Sequence, residues 1–245
     1  MLSDVMEDYL KAIYQIQSTS GAPVATSAVA EYLGKTPPTV TSMFGKLEER
    51  GLLEREKYKG VELTEEGETV ALEVLRHHRL LEAYLAEHLD YSWSEVHDEA
   101  DALEHHISEE FERRVAEVLG NPTVDPHGDP IPTADLAPID HEEADTLGDH
   151  GVGDRVVVTR VSDREEEELE YLENAGVLPG TRLDVVDVAP FGMVTVRTEG
   201  GDEQSLPDSV AASIRVRPFE GDPAGGETNG TGDDSDGSNG EVPTT

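Results

Sequence analysis

The chain has no cysteine. Disulfides, thiol redox switches and thiolate metal ligands are therefore excluded, and with them the tetrahedral Cys-type zinc sites. It also lacks any apolar run near the roughly 20 residues that cross a bilayer. Its first residues do not follow the basic-then-apolar plan of an export signal. The reading is a soluble cytoplasmic protein with no membrane partner. Positive charge is scarce as well: 18 Lys and Arg face 54 Asp and Glu, a net charge of -36 over 245 residues. Like charge repels at low salt and at first argues against a polyanionic partner.

The deficit is unevenly spread. Residues 1–60 hold seven basic residues, Lys11, Lys35, Lys46, Arg50, Arg55, Lys57 and Lys59, against eight acidic ones. The first quarter is thus nearly neutral and the remainder carries the excess. At molar salt the Debye length shrinks to about 3 Å, which makes such self-repulsion tolerable. A halophilic, salt-rich cytoplasm is the simplest setting for this composition.

Apolar spacing predicts a mainly α protein with small β parts. Met6, Tyr9, Leu10, Ile13 and Ile16 recur at helical period between Asp4 and Gln17, and Gly21-Ala22-Pro23 ends that helix. Thr26 to Leu33 reads as a short second helix closed by Gly34. Thr36 as N-cap with Pro37 at the first helical position opens a third, with Val40, Met43, Phe44 and Leu47 as its buried stripe and Gly51 as its stop. Two apolar runs from Leu52 to Leu63 flank the charged tip Lys57-Tyr58-Lys59-Gly60, a β-hairpin pattern. Three helices and a hairpin in this order make a winged helix-turn-helix DNA-binding domain over residues 1–64. Residues 65–120 read as two long helices, one capped by Thr64 and reaching about Leu89, the other capped by Ser94 and reaching Leu119. They form a helical dimerisation and metal-binding domain. Residues 121–148 are a Pro/Asp-rich linker. Residues 149–218 carry short β-branched runs, Arg155 to Val161, Arg182 to Val188, Met193 to Thr198 and Ile214 to Val216, and one acidic helix from about Glu165 to Asn174, the pattern of a C-terminal SH3-like β-barrel. Residues 219–245 form an acidic tail that cannot bury a core.

On the third helix, Thr41, Ser42 and Lys46 lie opposite the apolar stripe, with Thr36, Pro38 and Thr39 near the N-terminal end. Short polar side chains and free backbone N–H groups in that position suit base edges and phosphates in the major groove of double-stranded DNA. Lys57 and Lys59 at the hairpin tip would meet phosphates. An ordinary solvated face explains the helix alone equally well; the helix-turn-helix-wing order and the neutral head favour DNA.

The run from His97 to His106 interleaves histidine with carboxylates. On a helix, His97, Asp101, Glu104 and His105 fall within a sector of about 100°, whereas His106 projects away. On the preceding helix His78 and Glu82 stand at i, i+4, a spacing at which both can grip one ion. A solvated acidic helix with incidental histidines accounts for any single residue; the two helices together favour a metal.

Several motifs in one order then resemble the diphtheria toxin repressor family of iron- and manganese-dependent regulators, from about Met6 to Val216. They are Met6-Glu7-Asp8-Tyr9-Leu10, Pro38-Thr39-Val40-Thr41, Gly51-Leu52-Leu53, His78-Arg79-Leu80-Leu81-Glu82, His97-Asp98-Glu99-Ala100, Glu104-His105 and Pro126-His127-Gly128-Asp129-Pro130-Ile131-Pro132. The resemblance implies a homodimeric repressor that binds operator DNA at metal-uptake genes, with Mn(II) or Fe(II) as corepressor and no small-molecule substrate. It implies a regulatory site of Asp8, Asp101, Glu104 and His105, and an ancillary site of His78, Glu82, His97, Glu165 and Glu168. Asp8 enters only through the resemblance, since periodicity reads it as a solvated acid. Members responsive to iron place a sulfur ligand where Asp8 and Asp101 stand; an oxygen and nitrogen set is harder and favours Mn(II), with Fe(II) second. Lys11 stands where manganese-responsive members carry a ligating Glu, which puts a two-ion regulatory cluster in doubt. Two other readings remain: a metal-independent winged-helix DNA-binding protein, and a metal-dependent hydrolase with Glu104 as general base, which would need an open coordination position in a substrate-sized cleft.

Overall fold

A computed structural model describes residues 2–56, 59–139, 144–163, 165–190 and 192–219. The expectations for Lys57 and for the tail beyond Phe219 lie outside these residues.

The head begins with α1 (Asp4–Ser20), α2 (Thr26–Tyr32) and α3 (Pro37–Glu49), followed by β1 (Leu53–Glu56) and β2 (Gly60–Leu63). Met6, Tyr9, Leu10 and Ile13 of α1 pack with Val40, Phe44 and Leu47 of α3, the stripes predicted from their spacing. Thr36 takes the N-cap position, but its hydroxyl meets the Thr39 hydroxyl (2.9 Å) and not a backbone N–H. The two strands pair antiparallel, Leu53 opposite Leu63. Val61 bridges Val24, and Gly60 makes this possible: a Cβ there would lie 2.0 Å from the Val24 carbonyl oxygen.

Helix α4 (Glu65–His88) starts at Thr64, whose hydroxyl accepts from the Gly67 N–H (3.1 Å). It belongs to two cores at once. Ala71, Leu72 and Leu75 complete the head, while Leu80 packs with Val115, Ala116 and Ile131, and Leu81 and Leu85 with Val96 and Ala100. One rigid rod thus joins the head to the helical body. The second long helix predicted here is instead two, α5 (Val96–Leu103) and α6 (Glu109–Val118). Its N-cap is Glu95, not Ser94, and Ser108 starts α6 by accepting from the Phe111 N–H (3.3 Å). The break leaves Glu104 and His105 in the turn that follows α5.

The C-terminal unit contains β3 (Asp145–Thr146), β4 (Arg155–Val161), α7 (Glu166–Asn174), β5 (Arg182–Ala189), β6 (Met193–Thr198), β7 (Glu203–Pro207), α8 (Asp208–Ser213) and β8 (Ile214–Pro218). Its strands form one antiparallel sheet in the order β3-β8-β4-β5-β6-β7. The expected SH3-like unit is therefore present, but among the described residues its edges β3 and β7 do not pair, so the barrel is not closed. Leu169 and Leu172 of α7 plug its core, and so does Trp93 from the body.

Trp93 ties three parts together. Its ring enters the sheet core, its indole N–H donates to the Pro126 carbonyl (2.9 Å), and it packs 5.0 Å from the His127 ring. Gly128, at φ +89°, brings this loop against β4, since a Cβ there would sit 2.1 Å from the Thr159 carbonyl oxygen. Trp93→Ala is expected to cost about 3–5 kcal/mol, read as a lowered midpoint in chemical denaturation followed by circular dichroism.

Candidate metal centre

Histidines and carboxylates from every unit meet at the junction of head, body and sheet. His78 and Glu82 lie one turn apart on α4 and are 3% and 0% exposed; Glu104, beyond α5, is 1% exposed. Burying an ionised carboxylate costs several kcal/mol unless opposite charge and hydrogen bonds accompany it, so these acids dictate what surrounds them.

Around Glu82, four residues place ligand atoms within 4.8 Å of one another: His78, Glu82, His97 and Asp163. His78 Nε2 lies 3.0 Å and His97 Nδ1 3.2 Å from Glu82 Oε1, and His97 Nδ1 is 3.4 Å from Asp163 Oδ2. A neighbouring group, Glu82, Asp125 and His127, shares the same carboxylate. His127 Nε2 meets the Trp93 carbonyl oxygen at 3.0 Å, which can only accept, so that nitrogen carries hydrogen. Its Nδ1 then faces Glu82 at 3.7 Å, and both His127 Nδ1 and Glu82 Oε2 are buried atoms without a hydrogen-bond partner. Orphaned buried donors and acceptors are uncommon in folded proteins, and an oxygen and nitrogen set of this kind fits a divalent cation.

The second centre joins head to body. Asp8 of α1, Glu104 and His105 form one candidate group, with His105 Nε2 2.9 Å from Asp8 Oδ1 and 3.4 Å from Glu104 Oε1. His105 Nδ1 meets Glu7 Oε2 at 2.8 Å, which orients the ring. His78, Asp101 and Glu104 form another group, with His78 Nδ1 2.6 Å from Glu104 Oε2 and 3.2 Å from Asp101 Oδ1. His78 therefore faces both centres, one ring nitrogen to each. Lys11 of α1 bonds to Asp101 Oδ1 (2.9 Å) and to both oxygens of Glu104 (2.7 and 2.8 Å).

The charges support one another. Burial lowers the pKa of His97, but hydrogen bonds to Asp163 and Glu82 raise it to about 10. Burial raises Asp163, and His97 brings it down to about 2. Burial likewise opposes protonation of His127, yet Glu82 and Asp125 lift it to about 9. Glu82, pushed up by burial, is held well below the carboxylate range by His78, His127 and His97. Burial raises the Asp125 carboxyl well above its usual range, aided by Glu82 and Asp129. Burial works against the charged form of Lys11, but Glu104 and Asp101 hold its pKa above the usual lysine value.

Of the residues expected at the regulatory site, Asp8, Glu104 and His105 come together, while Asp101 points instead to His78 and Lys11. Of those expected at the ancillary site, His78, Glu82 and His97 come together, and Glu165 and Glu168 do not join them. Glu165 is the exposed N-cap of α7, and the Glu168 carboxylate accepts from the Ser213 hydroxyl. The cause is the face of α7: burying Leu169 and Leu172 turns its acids to other surroundings. The sheet domain supplies Asp163, just past β4, in their place. Asp163, Asp125 and His127 escaped the sequence reading. The Pro126–Pro132 motif contained the signal for His127, and nothing local marks Asp163.

On the head, Thr36, Pro38, Thr39, Thr41, Ser42 and Lys46 are all exposed along α3, opposite Val40, Phe44 and Leu47. Lys59 is exposed beside the wing and pairs with Glu56. Arg55 donates to the Thr41 carbonyl (3.1 Å) and pairs with Glu48, buttressing α3 from the hairpin.

Comparisons with known proteins agree in all three parts. Family models match as follows: iron dependent repressor, N-terminal DNA binding domain, residues 1–61; iron dependent repressor, metal binding and dimerisation domain, residues 64–133; and FeoA domain, residues 146–218. The chain is 34% identical over 226 residues to the iron-dependent repressor IdeR of Mycobacterium tuberculosis, covering 88% of this chain and 97% of that one. It is 33% identical over 230 residues to the diphtheria toxin repressor of Corynebacterium efficiens, covering 90% and 98%. A solved manganese-dependent transcriptional repressor in complex with manganese superposes with a TM-score of 0.80 at 37% identity, covering 87% of this chain and 100% of that one. The manganese regulator SloR superposes with a TM-score of 0.71 at 31% identity, covering 87% and 98%.

Protonated His97 stabilises the metal-free fold below its unfolded pKa of about 6.5, and this contribution is lost as pH rises towards its folded value of about 10. In chelator, the melting temperature of the wild type is expected to exceed that of His97→Asn most below pH 6.5, and the gap to close across this window. A divalent ion held by His97 would have to displace such protons, so its affinity would rise over the same range, with protons released on binding.

Proposed function

The chain belongs to the diphtheria toxin repressor family, whose members are metal-dependent DNA-binding repressors and not enzymes, and from that premise we propose that a divalent ion clamps α1 of its DNA-binding head to the helical body. One observation carries this reading: Asp8, on α1, lies within ligand distance of Glu104 and His105, which belong to the body. An ion held by these three would supply the positive charge that fixes the head. In a homodimer formed through the body, where Leu89, Phe111 and Val118 are exposed, the two α3 helices would then sit about 34 Å apart, matching successive major grooves. Without the ion, the heads sample other orientations and DNA binding must cover the cost of ordering them.

Thr36, Pro38, Thr39, Thr41, Ser42 and Lys46 of each α3 would enter the groove of double-stranded operator DNA, with Lys59 and its neighbour Lys57 on phosphates. The ancillary site would use His78, Glu82 and His97 with Asp163, and its reach into the sheet domain would fix that domain against the body. The ligands are oxygen and nitrogen throughout, so Mn(II) is the favoured corepressor and Fe(II) the second; the relative solved with manganese is consistent with that order. Acting in the cytoplasm, such a sensor would silence metal-uptake genes when the ion is plentiful.

Asp8 is half exposed, so its removal perturbs the clamp with little effect on folding. Asp8→Ala is expected to weaken Mn(II)-dependent binding to a selected operator duplex by at least about tenfold, measured by fluorescence anisotropy. Unchanged metal-dependent affinity would refute the clamp.

A further inference from the structure

Two candidate groups at the head-to-body junction share Glu104: one with Asp8 and His105, the other with His78 and Asp101. They differ in what already stands in them. Lys11 reaches the first through Glu104 Oε1 alone, the oxygen that lies 3.4 Å from His105 Nε2. The second has the Lys11 ammonium on Asp101 Oδ1 at 2.9 Å and on Glu104 Oε1 and Oε2 at 2.7 and 2.8 Å. A lysine has three N–H donors and no acceptor, and here three carboxylate oxygens surround it. Two of them are the ones that an ion in this group would use, since Asp101 Oδ1 and Glu104 Oε2 also face His78 Nδ1 at 3.2 and 2.6 Å.

We propose that Lys11 is a resident cation of the junction: its ammonium fills the group formed by His78, Asp101 and Glu104, so the regulatory centre takes one divalent ion, at Asp8, Glu104 and His105. This rests on the metal-binding reading above and sets its stoichiometry. The Lys11 side chain is only 14% exposed and Glu104 is 1% exposed. For Lys11 to leave, a buried carboxylate must surrender two charge-assisted hydrogen bonds. A divalent ion entering beside the ammonium meets like charge at contact range in poorly solvated surroundings. Lys11 also belongs to α1, so the ammonium ties head to body before any ion arrives, and metal adds to a contact already half made.

A merely structural ion pair would change stability on removal without changing the number of ions bound. The test counts Mn(II) on the full chain by electron paramagnetic resonance, which also distinguishes isolated ions from a spin-coupled pair. The wild type is expected to bind one ion at each centre, two per subunit, with no coupled-pair spectrum. Lys11→Glu is expected to bind a third and to show the coupled signal. Lys11→Gln removes the charge while keeping a polar stem, so it serves if the glutamate variant does not fold; its third ion should bind at least about tenfold more tightly than any third ion on the wild type. A coupled pair already present in the wild type, or a folded Lys11→Glu or Lys11→Gln that still binds two isolated ions, would overturn the inference. A wild type that binds no Mn(II) would instead overturn the metal-binding reading beneath it.

Discussion

Glu82 and Glu104 are carboxylates with almost no exposure, placed where the head, the helical body and the sheet domain meet. Neither can be held there unless cationic or hydrogen-bonding groups reach it, because the desolvation cost of a lone buried carboxylate is several kcal/mol. The chain meets that requirement with groups drawn from elements far apart in sequence. Lys11 comes from α1, His78 from α4, His97 from α5 and His127 from the loop after α6. The junction is thus an electrostatic assembly point as well as a packed one. In the proposed function a divalent ion would add to it by displacing the protons that the same acids favour on His97 and His127. That substitution would give the ion leverage over domain arrangement, since the candidate ligands are drawn from the head, the body and the sheet domain.

The rest of the architecture serves to hold those groups in reach. Helix α4 runs through the cores of both head and body, so a change in how α1 sits on its lower half is a change in how the head sits on the dimerising unit. Trp93 and the Gly128 loop bring β4 and hence Asp163 to His97. The near-neutral head is the one part of a chain of net charge -36 that can approach DNA without strong repulsion. Its α3 offers an exposed row of small polar side chains above a fully buried stripe.

Much of this was legible in the residue order, for reasons that differ by element. Helices α1 and α3 announced themselves through apolar residues at helical period, and α2 and α4 through signals at their ends, Gly34 and Thr64. His78 and Glu82 were legible because a spacing of four on one helix is itself geometry. The break between α5 and α6 was not, since the acidic run from His97 to Glu110 contains neither Gly nor Pro and the cap at Ser108 is a weak local signal. Strand β7 was missed because Glu203–Pro207 buries a single residue, Leu206, and so lacks alternation. Asp163 and Lys11 show the deeper limit. Their roles arise from contacts across tens of residues, 66 positions in the pair of Asp163 with His97 and 93 in that of Lys11 with Glu104. Spacing carries no information about such pairs; the resemblance supplied Asp8, and only the folded chain supplied Asp163.

The central claim is that a divalent ion couples these buried acids to DNA binding. The most direct measurement is operator affinity of the wild-type chain at high salt with Mn(II), with Fe(II) under anaerobic conditions, and with chelator alone. The account predicts tight, sequence-specific binding with either ion, stronger with Mn(II), and its loss on chelation. Equal operator affinity with and without metal would contradict it.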